Sequence, residues 1–194
     1  MGPKNIDAGK GPPGLTQNRN LVLIGYRATG KTAVGALLAQ ELARPFVDLD
    51  EVLEEEMGCS IADLVAAKGW AEFRRREKEL VARFGQADGQ VLATGGGAVL
   101  DPENVEVLRK NGVVVWLRAG PGTIQERLSR DQRQVSQRPS LTDSSTLGEV
   151  AEVLQSRQPL YAAAAHIVID TDQHSLDQVV EKVLAAVEGL AKQA

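Results

Sequence analysis

The sequence predicts an α/β fold, in which a five-stranded parallel sheet is flanked by helices. Five short apolar runs alternate along the chain with longer segments whose apolar residues recur at helical spacing. Runs that are apolar at every position are typical of strands buried on both faces, as in parallel sheets. The 194 residues are enough for one such domain, because domains commonly contain about 100–200 residues.

The strands are predicted where β-branched and apolar residues cluster and a turn residue follows. The first run ends at Gly25, and the third runs into three consecutive glycines. Glycine permits the sharp turn that must follow a buried strand. The predicted strands are Leu21–Ile24, Pro45–Asp48, Val91–Ala93, Val113–Leu117 and His166–Ile169.

The helices are predicted from apolar stripes and from start signals. Val34, Leu38 and Leu42 share one face of the first helix. Ser60 with Asp63 forms an N-cap pattern, and Pro102 suits a first helical turn. The predicted helices are Lys31–Ala43, Glu51–Met57, a segment that begins at Ser60, Trp70–Phe84, Pro102–Lys110, Gly122–Arg130, Leu147–Ala163 and Ser175–Ala191.

The composition argues against several classes of protein. A single cysteine, Cys59, excludes an internal disulfide, and with two histidines it leaves no Cys/His cluster for zinc. Aromatic residues make up 4% and the net charge is −4, so we expect neither nucleic acid nor an anionic membrane as a partner. The chain has no run of about 18 apolar residues, and we expect a cytoplasmic protein.

A phosphate loop is predicted at residues 25–32, where GYRATGKT matches G-x-x-x-x-G-K-[ST]. The glycines let the backbone approach an oxyanion, and the N-terminus of the following helix faces the phosphates. Lys31 would reach the β- and γ-phosphates, and the Thr32 hydroxyl would bind Mg²⁺. The alternative is a glycine-rich turn without a ligand, but the loop follows an apolar run and opens an amphipathic helix, as phosphate binding requires.

Two carboxylates, Asp48 and Asp50, end the second predicted strand. Residues i and i+2 of an extended chain face the same side, so both side chains are expected to approach the phosphate loop. One would hold the metal, directly or through water, and the other would orient and deprotonate an attacking hydroxyl. The alternative is that Asp50 caps the next helix.

Glycines and arginines mark a second set of candidate site residues. Gly95, Gly96 and Gly97 follow the third strand and could either receive an oxygen-rich substrate or simply turn the chain. Arg74, Arg75 and Arg76 alternate with glutamates, as a solvated helix face would, and this simpler interpretation suits Arg75 and Arg76.

Two segments differ in composition from the predicted domain, which covers residues 20–194. Residues 1–19 hold four glycines and three prolines and predict a flexible extension, which is either a functional tail or an artefact of the assigned start. Residues 131–145 are polar and follow several arginines. They predict a mobile lid that closes over phosphates, or else an ordinary exposed loop.

Taken together, these features resemble the shikimate kinase family of P-loop, nucleoside-monophosphate-kinase-like enzymes over roughly residues 20–190. The motifs in family order are GYRATGKT, DLD, GCSIADLVAAKGWAEFRRRE, TGGG, and RPSL followed by RQPLY. The resemblance implies ATP- and Mg²⁺-dependent phosphorylation of the 3-hydroxyl of shikimate, in chorismate biosynthesis, by an enzyme with a mobile lid. Because the sequence shows no dedicated interface, we expect a monomer. ATP and shikimate would then be the partners of the chain.

The resemblance also implies a role for each matched residue. Lys31, Asp50 and Arg138 would be catalytic, with Asp50 as the base, and Thr32 and Asp48 would serve the metal. Glu77 would position the arginines that clamp the substrate carboxylate. The substrate-binding residues would be Asp50, Arg74, Gly95, Gly96, Gly97 and Arg157. The ATP-binding residues would be Gly25, Ala28, Thr29, Gly30, Lys31, Thr32, Ala33, Arg130 and Arg138, with Arg127 as the alternative to Arg130 for stacking on adenine.

The sequence departs from the family pattern at a few positions. Trp70 stands where the family usually has an acidic residue, Ser140 replaces a leucine, and Tyr26 and Arg27 occupy the phosphate loop where small or apolar residues are common. None of these changes removes a residue that the chemistry requires. The alternatives are a gluconate-type or nucleotide kinase of the same fold, or a non-catalytic nucleotide-binding regulator.

Overall fold

A computed structural model describes residues 19–130 and 147–192, and within them it confirms the predicted parallel sheet. The five strands pair in the order β2-β3-β1-β4-β5, and all four pairings are parallel. Strands β2 and β3 lie on one side of β1, and β4 and β5 lie on the other. The strand order therefore reverses at β1, and a crevice opens at its carboxyl end. The strands are β1 Asn20–Ile24, β2 Phe46–Asp48, β3 Val91–Ala93, β4 Gly112–Arg118 and β5 Ile167–Asp170.

Helices cover both faces of this sheet, as the alternating pattern predicts. They are α1 Lys31–Leu42, α2 Leu49–Met57, α3 Ile61–Gln86, α4 Pro102–Asn111, α5 Pro121–Arg130, α6 Leu147–Ala164 and α7 Leu176–Ala191, with a short 3₁₀ turn at Ala98–Leu100. None of these helices combines the length and apolar character needed to cross a membrane.

The core lies in two layers because successive strand residues point to opposite faces. Leu21 and Leu23 of β1 pack with Leu38 of α1 on one face, together with residues of α7. Val22 and Ile24 pack on the other face with residues of α3 and α4. Each fully buried aliphatic side chain contributes about 1.5–3 kcal/mol, so the central strand is firmly fixed beneath the crevice.

Helix α3 carries several candidate site residues and is interrupted once. Ser60 caps its start, since its side chain accepts a hydrogen bond from the Asp63 amide. Gly69 then departs from helical geometry, with φ 79° and ψ 168°, a conformation that favours glycine. The sequence predicted separate helices beginning at Ser60 and Trp70, and the non-helical Gly69 separates two helical stretches at that boundary.

The predicted extension and lid fall largely outside the described residues. Of residues 1–19, the structure describes only Arg19, which donates to the Gly112 carbonyl at 3.0 Å and accepts from Arg44 at 2.7 Å. The predicted lid, with Arg138 and Ser140, lies outside the described residues altogether.

Candidate active site

The loops that follow β1, β2 and β3 meet at one edge of the sheet and border an open cleft. We call this cleft the substrate cleft. It is lined by Tyr26, Arg27, Asp50, Ile61, Trp70, Phe73, Arg74, Glu77, Gly96, Gly97 and Arg157.

The phosphate loop is held by its own hydrogen bonds. The Lys31 ammonium donates to the carbonyls of Gly25 and Tyr26, both at 2.9 Å, and only 8% of the residue is exposed. The Thr29 hydroxyl donates to the Tyr26 carbonyl at 2.8 Å. A side chain at Gly25 would overlap the Leu117 carbonyl, so this strand end requires glycine. The loop therefore keeps its lysine beside the backbone that would receive phosphates.

The loop continues into α1 through the other predicted nucleotide-binding positions. Ala28 has φ 59°, a left-handed conformation that costs a non-glycine residue about 1–3 kcal/mol. Gly30 is the N-cap of α1, and Lys31, Thr32 and Ala33 form its first turn. The helix N-terminus thus faces the loop, as the phosphate-loop motif predicts.

The residues expected to hold Mg²⁺ lie together. Thr32 Oγ1 donates to Asp48 Oδ2 at 2.6 Å. No group of three or more His, Cys, Asp or Glu side chains suited to a metal occurs in the described residues. Mg²⁺ is usually held by one or two protein oxygens together with phosphates and waters, so this hydroxyl and carboxylate fit the ion.

Asp48 and Asp50 do not share one extended segment, contrary to the sequence prediction. Helix α2 begins at Leu49, two residues earlier than predicted, because the Asp48 side chain caps it by accepting from the Asp50 amide at 3.0 Å. The cap proposed for Asp50 therefore belongs to Asp48. Asp48 faces Thr32, whereas Asp50 lies in the first turn of α2 and lines the substrate cleft.

Glu77 is a buried carboxylate at the centre of the substrate cleft. It is 3% exposed, and its Oε2 accepts from Arg74 Nη1 at 2.5 Å. Its Oε1 has no hydrogen-bond partner among the described residues. Burial raises the pKa of Glu77, and the nearby Arg74 cation only partly opposes that shift.

The glycine turn, Gly95–Gly97, leaves room for these groups. A Cβ at Gly95 would lie 2.5 Å from Glu77 Oε1 and 2.9 Å from Asp50 Oδ1. A Cβ at Gly97 would overlap the Arg74 guanidinium. The two carboxylates thus converge over Gly95, where they could accept hydrogen bonds from hydroxyl groups.

Arg157 of α6 brings a second guanidinium to the cleft. Its Nη1 donates to the Gly96 carbonyl at 3.3 Å, and the Tyr161 hydroxyl donates to the same carbonyl at 2.5 Å. Burial raises the pKa of Tyr161 to about 12, so this phenol stays a hydrogen-bond donor. With Arg74 on the other side, the cleft offers two cationic forks suited to a carboxylate.

Two arginines of α5 differ sharply in their surroundings. Arg127 donates to the Ala28 carbonyl at 3.3 Å, and its other contacts are the Thr171 hydroxyl at 3.1 Å and the Thr171 carbonyl at 2.8 Å. Arg130 pairs with Glu126 at 2.6 Å, and its side chain is 76% exposed. Arg127 therefore links the phosphate loop to the segment after β5, whereas Arg130 lies on the surface.

Some cleft residues had no role assigned from sequence. Tyr161 lies within the RQPLY motif, but its bond to Gly96 joins residues 65 positions apart, which no local pattern reveals. Phe73 and Ile61 line the cleft although their spacing resembled that of ordinary core residues.

Comparison with known proteins agrees with this geometry. A family model described as shikimate kinase matches residues 27–188. A shikimate kinase of Symbiobacterium thermophilum is 49% identical over 165 residues, covering 85% of this chain and 94% of that protein. One of Syntrophus aciditrophicus is 44% identical over 175 residues, covering 86% and 90%.

The fold is likewise that of a solved relative. The shikimate kinase of Acinetobacter baumannii in complex with shikimate superposes with a TM-score of 0.82 at 31% identity, covering 89% of this chain and 94% of that chain. The chain belongs to the shikimate kinase family.

Proposed function

We propose that the chain transfers the γ-phosphoryl group of ATP to the 3-hydroxyl of shikimate. The observation that carries this proposal is the substrate cleft, which places two arginines and two carboxylates beside the phosphate loop. The arginines suit a carboxylate and the carboxylates suit hydroxyls. Shikimate, a ring that bears one carboxylate and three hydroxyls, matches both sets.

The proposed transfer joins the shikimate O3 to the γ-phosphorus and breaks the bond from that phosphorus to the bridging β-oxygen. Asp50 accepts the hydroxyl proton as the new bond forms, and ADP leaves with the bridging oxygen. Lys31 and Arg138 stabilise the charge that develops on the phosphoryl oxygens. Thr32 and Asp48 would hold Mg²⁺, which would supply positive charge to offset that of the phosphates.

The acceptor is held by groups on three sides in this proposal. Arg74 and Arg157 bind the carboxylate, and Glu77 fixes the Arg74 guanidinium. The backbone of Gly95, Gly96 and Gly97 forms the remaining wall. Because the ring is held both at its carboxylate and at its hydroxyls, the reacting hydroxyl approaches the γ-phosphate in a productive orientation.

For adenine, the geometry favours Arg127 over Arg130. Arg127 spans the phosphate loop and the Thr171 segment, whereas the exposed side chain of Arg130 pairs within its own helix. We propose that Arg127 stacks on the base. A monomeric state and a cytoplasmic location remain predictions from the sequence.

An ADP-release assay with and without shikimate tests the proposed function. We expect shikimate-dependent turnover that also requires Mg²⁺. Asp50→Asn should lower kcat strongly, while Arg157→Ala should mainly raise the KM for shikimate. Folded wild-type protein that shows no shikimate-dependent turnover would refute the proposal.

A substrate panel separates the alternatives. Gluconate or a nucleoside monophosphate as the preferred acceptor would indicate a sibling kinase of the same fold. Nucleotide binding with no turnover on any acceptor would indicate a regulator. The arginine pair favours an acidic, hydroxylated acceptor, which describes both shikimate and gluconate, so the panel decides between these two. A regulator would need no such acceptor site.

A further inference from the structure

Trp70 lines the substrate cleft although nothing in the proposed chemistry requires an indole there. The residue is 36% exposed, so its ring borders the opening of the cleft. It follows directly after Gly69, whose left-handed φ of 79° breaks helix α3 and redirects the chain. The break thus places a large aromatic ring at the start of the segment that carries Arg74 and Glu77.

The ring contacts the guanidinium of Arg74. The Arg74 Cζ atom lies 5.7 Å from the Trp70 ring centroid and 4.9 Å from that of Phe73. The two rings meet edge to face, with centroids 5.6 Å apart and an interplanar angle of 86°. Positions i, i+3 and i+4 share one helix face, so the contact follows from the sequence spacing.

The other sides of the same guanidinium are also occupied. Glu77 Oε2 accepts from Nη1, and the backbone at Gly97 is so close that a Cβ there would overlap the guanidinium. The bond to Glu77 uses one of the five guanidinium N–H groups, which leaves donors for an incoming carboxylate. Arg74 is therefore fixed by rings, a carboxylate and the backbone before any substrate arrives.

We propose that Trp70 is a positioning residue for the carboxylate of the acceptor. It holds the Arg74 guanidinium by a cation–π contact and shields from water the ion pair that Arg74 forms with that carboxylate. Both effects strengthen acceptor binding, because a fixed cation loses less freedom and a shielded ion pair is stronger than a hydrated one. An acidic residue, which the family usually has at this position, could pair with Arg74 at i,i+4, but its charge would compete with the substrate carboxylate for the guanidinium and it has no ring to shield the ion pair.

Steady-state kinetics of Trp70→Ala and Trp70→Phe test this inference, which rests on the proposed function. Trp70→Ala should raise the KM for shikimate roughly fivefold, in keeping with a partly shielded cation–π contact. The kcat and the KM for ATP should change less than about twofold, because the ring touches neither reacting atoms nor the phosphate loop. Trp70→Phe keeps an aromatic face and should recover most of the affinity.

A double-mutant cycle with Arg74→Ala shows whether Trp70 acts through Arg74. In that background, Trp70→Ala should leave kcat/KM for shikimate unchanged within about twofold. The ratio is obtained from the linear part of the rate curve, so weak binding does not prevent the measurement. An additional fivefold loss in the Arg74→Ala background would overturn the inference.

Two further variants serve as controls. Phe84→Leu removes a ring of the same helix that contacts Arg83 at 4.7 Å outside the cleft, and it should leave the KM for shikimate unchanged. Trp70→Glu installs the usual family residue and should weaken shikimate binding as Trp70→Ala does. Wild-type affinity in Trp70→Glu would refute a role for the indole.

The two proposals fail in different ways. Wild-type protein without shikimate-dependent turnover contradicts the proposed function before any variant is compared. Wild-type turnover with an unchanged KM in Trp70→Ala contradicts only the role of Trp70. A fall in kcat at constant KM would also contradict it, since a group that positions the carboxylate acts on binding.

Discussion

The two halves of the cleft are built in opposite ways. The nucleotide half is the phosphate loop with Asp48, nearly all of it contiguous, and Lys31 donates to two carbonyls of the same loop while Thr32 donates to Asp48. The acceptor half gathers residues from α2, α3, the glycine turn and α6, and it leaves Glu77 Oε1 without a partner among the described residues. A local motif can thus serve any acceptor, whereas recognition of one acceptor requires the assembled fold.

The largest loss of activity is expected from Lys31→Ala in the nucleotide half. The ammonium is the buried cation beside the loop, and removing one preorganised charge from a transition state costs roughly 10²–10³-fold in kcat. Steady-state kinetics should show a loss at the upper end of that range, while calorimetry should show unchanged shikimate binding. Lys182→Ala, an exposed lysine of α7, is the control. A loss confined to the KM for shikimate would contradict the division into two halves.

In the acceptor half, Gly95→Ala should disturb the positions of the two carboxylates. The new methyl would lie 2.5 Å from Glu77 Oε1 and 2.9 Å from Asp50 Oδ1, so both carboxylates must move. A displacement of about 1 Å in a site can cost roughly 100-fold, and we expect that loss in kcat/KM for shikimate.

Nucleotide binding should survive that change. Calorimetry with MgADP should give the wild-type affinity for Gly95→Ala. Gly122→Ala, where no atom lies within 4 Å of the added methyl, should retain full activity. Equal losses in both variants would mean that the added methyl acts on stability rather than on the cleft.

A smaller effect distinguishes two arginines within the nucleotide half. Arg127→Ala should raise the KM for ATP roughly tenfold, which corresponds to about 1.4 kcal/mol. Arg130→Ala should change it less than twofold, because its side chain pairs with Glu126 on the surface. The opposite ranking would restore Arg130 as the residue that stacks on adenine.

The smallest expected effect concerns stability, and it comes from the buried Glu77 of the acceptor half. Burial raises the pKa of Glu77 in the folded protein, so the stability linked to its proton is complete below the unfolded pKa, near 4.5, and is lost as the pH rises through the folded pKa. Urea unfolding should therefore show the wild type losing free energy of unfolding relative to Glu77→Gln as the pH rises from below 4.5. A difference that is independent of pH would contradict this.

The sequence predicts the sheet well because each strand can be identified from a few consecutive residues. Each predicted strand differs from the observed one by no more than one residue at either end. The central strands β1, β3 and β4 are apolar runs buried almost throughout, as the pattern predicts. The phosphate loop can likewise be predicted from one contiguous segment, residues 25–32. Arg74, Glu77 and Arg157 were assigned only through resemblance, because their meeting depends on how α3 and α6 pack.

Two features could not be predicted from local patterns. Asp48 takes the cap of α2, so the two aspartates point to different groups. The convergence of Glu77 and Asp50 over Gly95 brings together three segments that are far apart in the chain. Local patterns state preferences, but packing decides among them.

The position of β1 in the sheet has a consequence for synthesis. This strand is made first, yet its partner β4 pairs Gly112 with Asn20, about 90 residues later. At translation rates of about 5–20 residues per second, β1 waits on the order of ten seconds for that partner. Over that interval a strand with four consecutive apolar residues has an open edge, so folding speed and chaperone access, rather than final stability, should limit the yield of active enzyme.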